Sequence, residues 1–235
     1  MIDDLGNTRA GRRAVSLPGP LTVAVLPFTP FASQLAHDAH ANGKQVLVHL
    51  PMQSMRGHSL GPHGLSIGLT RSEFQRRVRD ALRSVPFARG VNNHMGSRLT
   101  ADPEPMRWLM SILSEQPDWL FLDSRTTHLT VAAETARQSG VAVVSRDVFL
   151  DNDRRPREIQ RRLRQALSLA RRRGHAVAIG HPHAETLGVL EQELPEIRRQ
   201  GVRLVPISEL ARRHPDIRLL YTRYSPSGGH AAMIR

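Results

Sequence analysis

Gly90-Val91-Asn92-Asn93-His94-Met95-Gly96-Ser97-Arg98 packs two amides, an imidazole, a hydroxyl and a guanidinium into nine residues, directly after the apolar Val85-Pro86-Phe87. Polar groups at this density are costly to bury unless something binds them. A short strand that delivers them to one rim of a sheet, with Gly96 letting the backbone turn, is the simplest arrangement. The plainer alternative is a polar turn whose Asn and Ser side chains bond their own backbone. Three further stretches favour the strand: MIDDLG at 1–6, VLVHLPM at 46–52 and AIGHPH at 178–183. Each is an apolar run, or the stub of one, ending in Asp or His.

Outward from that stretch, apolar runs alternate with helical patterns. LTVAVL at 21–26, 45–50, WLFL at 119–122, 141–144, 176–179 and 202–206 read as strands. Between them lie helices at 30–41, 131–138 and 185–199. Thr70 and Glu73 form a capping box ahead of Phe74, Val78 and Leu82, and Asp102-Pro103 opens a helix with Met106, Leu109, Met110 and Leu113 inward. Ile159, Leu163 and Leu167 stripe another. Repeated β-α units predict parallel strands. With the N-terminal stub counted, about eight strands suit a barrel, whose ligands bind at the carboxyl ends of the strands. We expect one domain over 1–213 and a loose tail over 214–235. The Gly-, His- and Ser-rich stretch 51–69 is long enough to be a functional loop.

Composition excludes several classes. There are no cysteines, so disulfides, Cys-zinc sites and thiol catalysis are ruled out. No apolar run approaches the roughly 18 residues of a membrane span. The net charge of +12 is almost wholly arginine, Lys44 being the single lysine. Because the Arg runs sit on amphipathic helices without interleaved aromatic rings, nucleic-acid binding is not expected.

Asp4, His49 and His94 offer one carboxylate and two imidazoles from three strand ends, an open three-ligand set for a divalent ion, with zinc the first expectation. Such an ion lowers the pKa of a water and polarises a carbonyl. Asp3 is placed to take the water's proton, and His181 or His183 to give one to the leaving group. Arg98 or Arg125 is expected to hold Asp3 ionised or to face a substrate carboxylate. Asn93, Asp123, Asp147 and Asp151 complete the polar groups assigned to substrate binding or support.

The segments IDDLG at 2–6, VLVHLPM at 46–52, GVNNHMGSRLT at 90–100, FLDSRTT at 121–127, RDVFLDN at 146–152 and IGHPHAETL at 179–187 resemble the divergent polysaccharide deacetylase family. This is a distant branch of the carbohydrate esterases that share the NodB-type fold. The resemblance covers nearly the whole chain, to about Leu210. It implies a distorted (β/α) barrel and metal-dependent removal of acetyl groups from an N-acetylated cell-envelope glycan, of peptidoglycan type. It also implies that Asp3 is the base and Asp4 a ligand, and that His181 assists the leaving group.

The chain departs from the NodB pattern in its histidine pair. An HxxxH spacing is usual, but Gln53 stands four residues after His49 and Arg98 four after His94. The third ligand must come from another strand, with His94 first choice and His183 or His181 second. The departure supports a second expectation, a glycan-binding envelope protein of the same fold without catalysis. Met1 immediately precedes Ile2-Asp3-Asp4, so the first strand is expected to be truncated. A start upstream would restore an export signal and a periplasmic or secreted location.

Overall fold

The computed structural model describes residues 1–61 and 63–213; the expected tail, 214–235, lies outside the described residues. Six strands form one parallel sheet in chain order: β1 (Ile2–Leu5), β2 (Thr22–Val25), β3 (Gln45–Met52), β4 (Ala88–Met95), β5 (Leu120–Asp123) and β6 (Ala142–Ser145). β7 (Val148–Phe149) and β8 (Ala178–Ile179) form a second parallel pair. Just past β8, Gly180 bridges back to Ile2: Asp3 N donates to Gly180 O at 2.9 Å and Gly180 N to Met1 O at 3.1 Å. The wall therefore curls from β7 and β8 through β1 to β6, and the barrel is not closed between β6 and β7. There Arg146 N turns back to Asp123 O, while Asp147 N and Val148 N both donate to Val177 O.

The connections are α1 (Gly11–Val15), α2 (Ala32–Ala41), α3 (Arg71–Ser84), α4 (Pro103–Leu113), α5 (Ala132–Gln138), α6 (Pro156–Arg173) and α7 (Ala184–Ile197), with α8 (Ile207–Arg213) last. Local chemistry starts α3 and α4 at the predicted caps. Thr70 Oγ1 accepts from Glu73 N at 3.2 Å, and Asp102 Oδ1 from Glu104 N at 3.0 Å ahead of Pro103. Gly174, at φ 81°, ends α6 in the left-handed conformation. Phe74 of α3 meets Trp108 of α4 edge to face at 5.5 Å.

The two faces of the sheet bury different cores. Val23, Val25, Val46, Val48, Leu50, Val91 and Phe121 pack outward against the helices. Ala24, Leu47, Leu120, Leu122, Val144 and Ile179 belong to a separate apolar cluster on the other face, joined by Ile207 and Ala211 of α8. α8 thus plugs the base. Its first turn is tied down where Ile207 N donates to Thr22 Oγ1 and Ser208 N to Gln45 Oε1. Each fully buried Leu on this inner face is worth about 1.5–3 kcal/mol of transfer free energy.

One strand assignment changes. Residues 202–206 do not pair as a strand; they run beside an apolar cavity of about 320 Å³ at the base, lined also by Leu167, Leu190 and Leu194. The eighth strand is instead Val148–Phe149, hidden in the polar RDVFLDN run. The short first strand, Ile2–Leu5, is as long as β2, with Ile2 and Leu5 buried in the core.

Candidate metal centre

Strand register decides which polar groups meet. His49 of β3 pairs with Asn92 of β4, and Pro51 with His94. Alternation then puts Leu47 and His49 on the inner face with Asn92 and His94, and turns Val91 and Asn93 the other way. The approach of β4 to β5 needs a glycine: a Cβ at Gly90 would lie 2.5 Å from Leu120 O.

β1 breaks its alternation. In a regular strand Asp3 and Asp4 point to opposite faces. Asp4 adopts φ 59°, and the pairing with β2 shifts between Ile2 and Leu5. This bulge brings both carboxylates to the mouth, at a cost of about 1–2 kcal/mol for the left-handed residue.

Asp4 Oδ1 lies 3.0 Å from His49 Nε2 and 2.8 Å from His94 Nδ1, and the two ring nitrogens are 3.2 Å apart. These three atoms form a potential ligand group. Asp4 Oδ1 is buried yet has no aligned hydrogen-bond donor, and neither has Asp3 Oδ1. Tetrahedral zinc with bonds of about 2.0–2.1 Å separates its ligands by about 3.3 Å. The trio needs to open by only a few tenths of an ångström, and its N, N, O donors suit zinc or a similar ion, so the residues present fit a divalent metal.

The electrostatics agree. Burial alone would lower His49, but the charges of Asp3 and Asp4 raise it to about 9. Burial would likewise raise Asp4, but His49 and His94 hold it well below the ordinary carboxylate range. Burial pushes the Asp3 carboxyl up, against the pull of His49 and His181. Two carboxylates at the mouth make this pocket favourable for positive charge.

Opposite this wall stands His181. Its Nδ1 is 2.9 Å from Asp151 Oδ1, and its Nε2 is 3.9 Å from Asp4 Oδ2. Burial acts to lower its pKa, but the hydrogen bond and charge of Asp151 raise it. Asp151, His181 and His183 form a second potential ligand group. Asp151 is already engaged, however: Oδ2 accepts from His181 N and from Thr186 Oγ1, and Oδ1 faces the ring. The His183 ring centroid lies 5.8 Å from that of His181, and burial together with Arg154 lowers its pKa.

The other expected residues lie apart from the ligand atoms. Asn93 Nδ2 donates to Met95 O and its Oδ1 accepts from Ser124 N, which ties the ends of β4 and β5 together. Asp123 accepts from Arg125 N and Thr130 Oγ1, organising the loop after β5. Asp147 sits where β7 begins, accepting from Val177 N, and so faces away from the mouth. Arg98 and Arg125 are exposed, and neither pairs with Asp3 among the described residues. Arg146 instead lies 3.8 Å over the ring of Phe149 and donates to Ser124 O and Arg125 O.

Asn92 and Ser124 were not among the expected site residues. Asn92 is fully buried, with its Oδ1 2.9 Å from His49 Nδ1. Its Nδ2 donates to Asp3 Oδ2 at 2.9 Å and to Ser124 Oγ at 3.1 Å. One signal could have found it: Asn92 stands two residues before His94, on the same face of the strand.

The divergent polysaccharide deacetylase family matches residues 1–211. An uncharacterized protein of Haemophilus influenzae is 36% identical over 213 residues, 90% of this chain and 75% of that protein. The uncharacterized Escherichia coli protein YibQ is 39% identical over 193 residues, 82% of this chain and 60% of YibQ. The chain thus spans 75% of the length of one relative and 60% of the other. Among solved structures, an uncharacterized Agrobacterium tumefaciens protein superposes with a TM-score of 0.85 at 22% identity, covering 89% of this chain and 86% of that one. A CE4 family pseudoenzyme from Bacillus anthracis gives 0.52 at 14% identity, covering 89% and 63%. At those identities the likeness is one of fold.

Proposed function

The chain belongs to the divergent polysaccharide deacetylase family, and from that premise we propose that it is a metal-dependent hydrolase removing N-acetyl groups from a cell-envelope glycan. The observation that carries the reading is the meeting of Asp4 Oδ1, His49 Nε2 and His94 Nδ1 within 3.2 Å, with Asp3 on one side and the His181–Asp151 pair on the other. A divalent cation held by those three residues would polarise the acetyl carbonyl and acidify a water.

The chain's own groups would move the protons. Asp3 keeps Oδ1 free while Asn92 occupies Oδ2, so Oδ1 would accept the proton of the attacking water. Its raised pKa makes it a stronger base than an exposed aspartate. With Nδ1 turned to Asp151, His181 would present Nε2 and protonate the leaving amine nitrogen as the C–N bond breaks. The products are acetate and a free amino sugar. Arg98 and Arg125 remain exposed on the mouth loops, available to an anionic substituent of the glycan.

A second reading is a glycan-binding protein that has lost hydrolysis. It is favoured by Gln53 and Arg98, which stand where an HxxxH pair would place its second histidine, and by the pseudoenzyme among the structural neighbours. Acetate release from an N-acetylglucosamine oligomer by zinc-loaded protein, abolished by Asp3→Asn, is the expected result. Oligomer binding with no acetate released would replace the first reading by the second.

A further inference from the structure

Asn92 is joined to both halves of the proposed chemistry, and the direction of its hydrogen bonds follows from their partners. An ionised Asp3 carboxylate only accepts, so the Asn92 edge facing Asp3 Oδ2 must be the NH2. That leaves Asn92 Oδ1 toward His49 Nδ1, 2.9 Å away. An amide oxygen only accepts, so His49 Nδ1 must carry hydrogen. Nε2, the nitrogen facing Asp4 and His94, is then the one whose lone pair is available. Ser124 Oγ takes the remaining Asn92 N–H.

We propose that Asn92 is the positioning residue of this centre: one buried amide sets the ring tautomer of His49 for metal binding and fixes the Asp3 carboxylate with Oδ1 free. The inference rests on the metal-dependent reading above and adds a residue on which neither catalysis nor ligation falls directly. Burial makes the device rigid. Asn92 is 0% exposed, and each of its polar atoms is engaged. Asp3 excludes the flipped amide, which would set its oxygen against the carboxylate.

Two substitutions separate the two tasks. Asn92→Leu removes both. Its zinc affinity, read by competition titration against a chromogenic chelator, should fall about 10–100-fold, as losses of groups that orient metal-bound histidines do. Asn92→Asp keeps an acceptor for His49 Nδ1 but sets a like charge against Asp3. It should hold zinc within about threefold of the parent, under 1 kcal/mol, while acetate release falls at least about 10²-fold. A merely structural role would weaken zinc in both variants in step with their melting temperatures.

The tautomer supplies a readout apart from activity. Long-range ¹H–¹⁵N NMR of His49 should report a protonated Nδ1 in zinc-loaded protein, and also in metal-free protein titrated to the point where a single ring proton remains. A folded Asn92→Leu variant with parental zinc affinity would overturn the proposal, as would a His49 protonated at Nε2 in the parent. If Asn92→Leu does not fold, Asn92→Asp and the NMR signal decide. If the parent binds no zinc, the deacetylase reading falls, and the metal-free spectrum alone judges the Asn92–His49 bond.

Discussion

Two imidazoles face each other across the mouth, and each has its Nδ1 held, but by different partners. On the β3–β4 wall His49 meets a neutral amide, Asn92; on the β7–β8 wall His181 meets a carboxylate, Asp151. A neutral acceptor selects a tautomer without adding charge, which suits a nitrogen that must present a lone pair to a cation. A carboxylate also raises the basicity of the ring, which suits a group that must carry a proton at neutral pH. In the proposed reading the same imidazole serves two tasks according to what stands behind it.

The largest expected effects test that division. His49→Ala or His94→Ala should weaken zinc by more than the roughly 10–100-fold that loss of a supporting group costs, whereas His181→Ala should leave zinc content unchanged by elemental analysis. A His181→Ala protein stripped of zinc would make both walls ligand walls and erase the contrast. His181→Ala should instead lower kcat for acetate release by about 10²–10⁴-fold.

Asp151→Asn sharpens the point at smaller cost. With the carboxylate gone, the His181 pKa falls, so the alkaline limb of the pH–rate profile should move to lower pH. A limb that stays in place would mean that another group donates the proton.

Acidity also distinguishes metal-free from loaded protein. The folded His49 pKa of about 9 lies above its unfolded value near 6.5, so its contribution is fully present below pH 6.5 and is lost as pH rises through 9. Protein stripped by chelator should therefore lose stability, on the order of 3 kcal/mol, between those limits. Zinc competes with the same proton, so zinc affinity should rise over that window, and thermal melts with and without zinc should diverge as pH increases. Parallel melts would mean that zinc does not occupy this pocket. The smallest effect belongs far from both walls: Thr70→Ala, which removes the N-cap of α3, should cost about 1 kcal/mol by urea unfolding and leave zinc affinity unchanged.

Much of this molecule was legible residue by residue. Caps at Thr70 and Asp102, apolar stripes such as Phe74-Val78 and Ile159-Leu163, and short apolar runs ending in Asp or His are local signals, and the structure follows them. The misses are those in which neighbours override local pattern. Residues 202–206 look like a strand but run beside a cavity, while Val148–Phe149, two residues inside a polar run, pairs with β8. Asp147 looked like a strand-end group because the strand after it is so short. Composition does not distinguish the adjacent amides Asn92 and Asn93.

By itself the sequence determined a parallel β-α chain, its polar strand ends, the absence of thiol chemistry and Asp4, His49 and His94 as candidate ligands. Tertiary structure alone decided how those candidate groups meet and what stands behind them. His49 and Asn92 are 43 residues apart, and they touch because β3 and β4 align in one register; a shift of one residue would turn Asn93 inward in place of Asn92. The bulge at Asp4 is a decision of the same kind, since alternation along β1 would have sent one of the two aspartates away from the mouth.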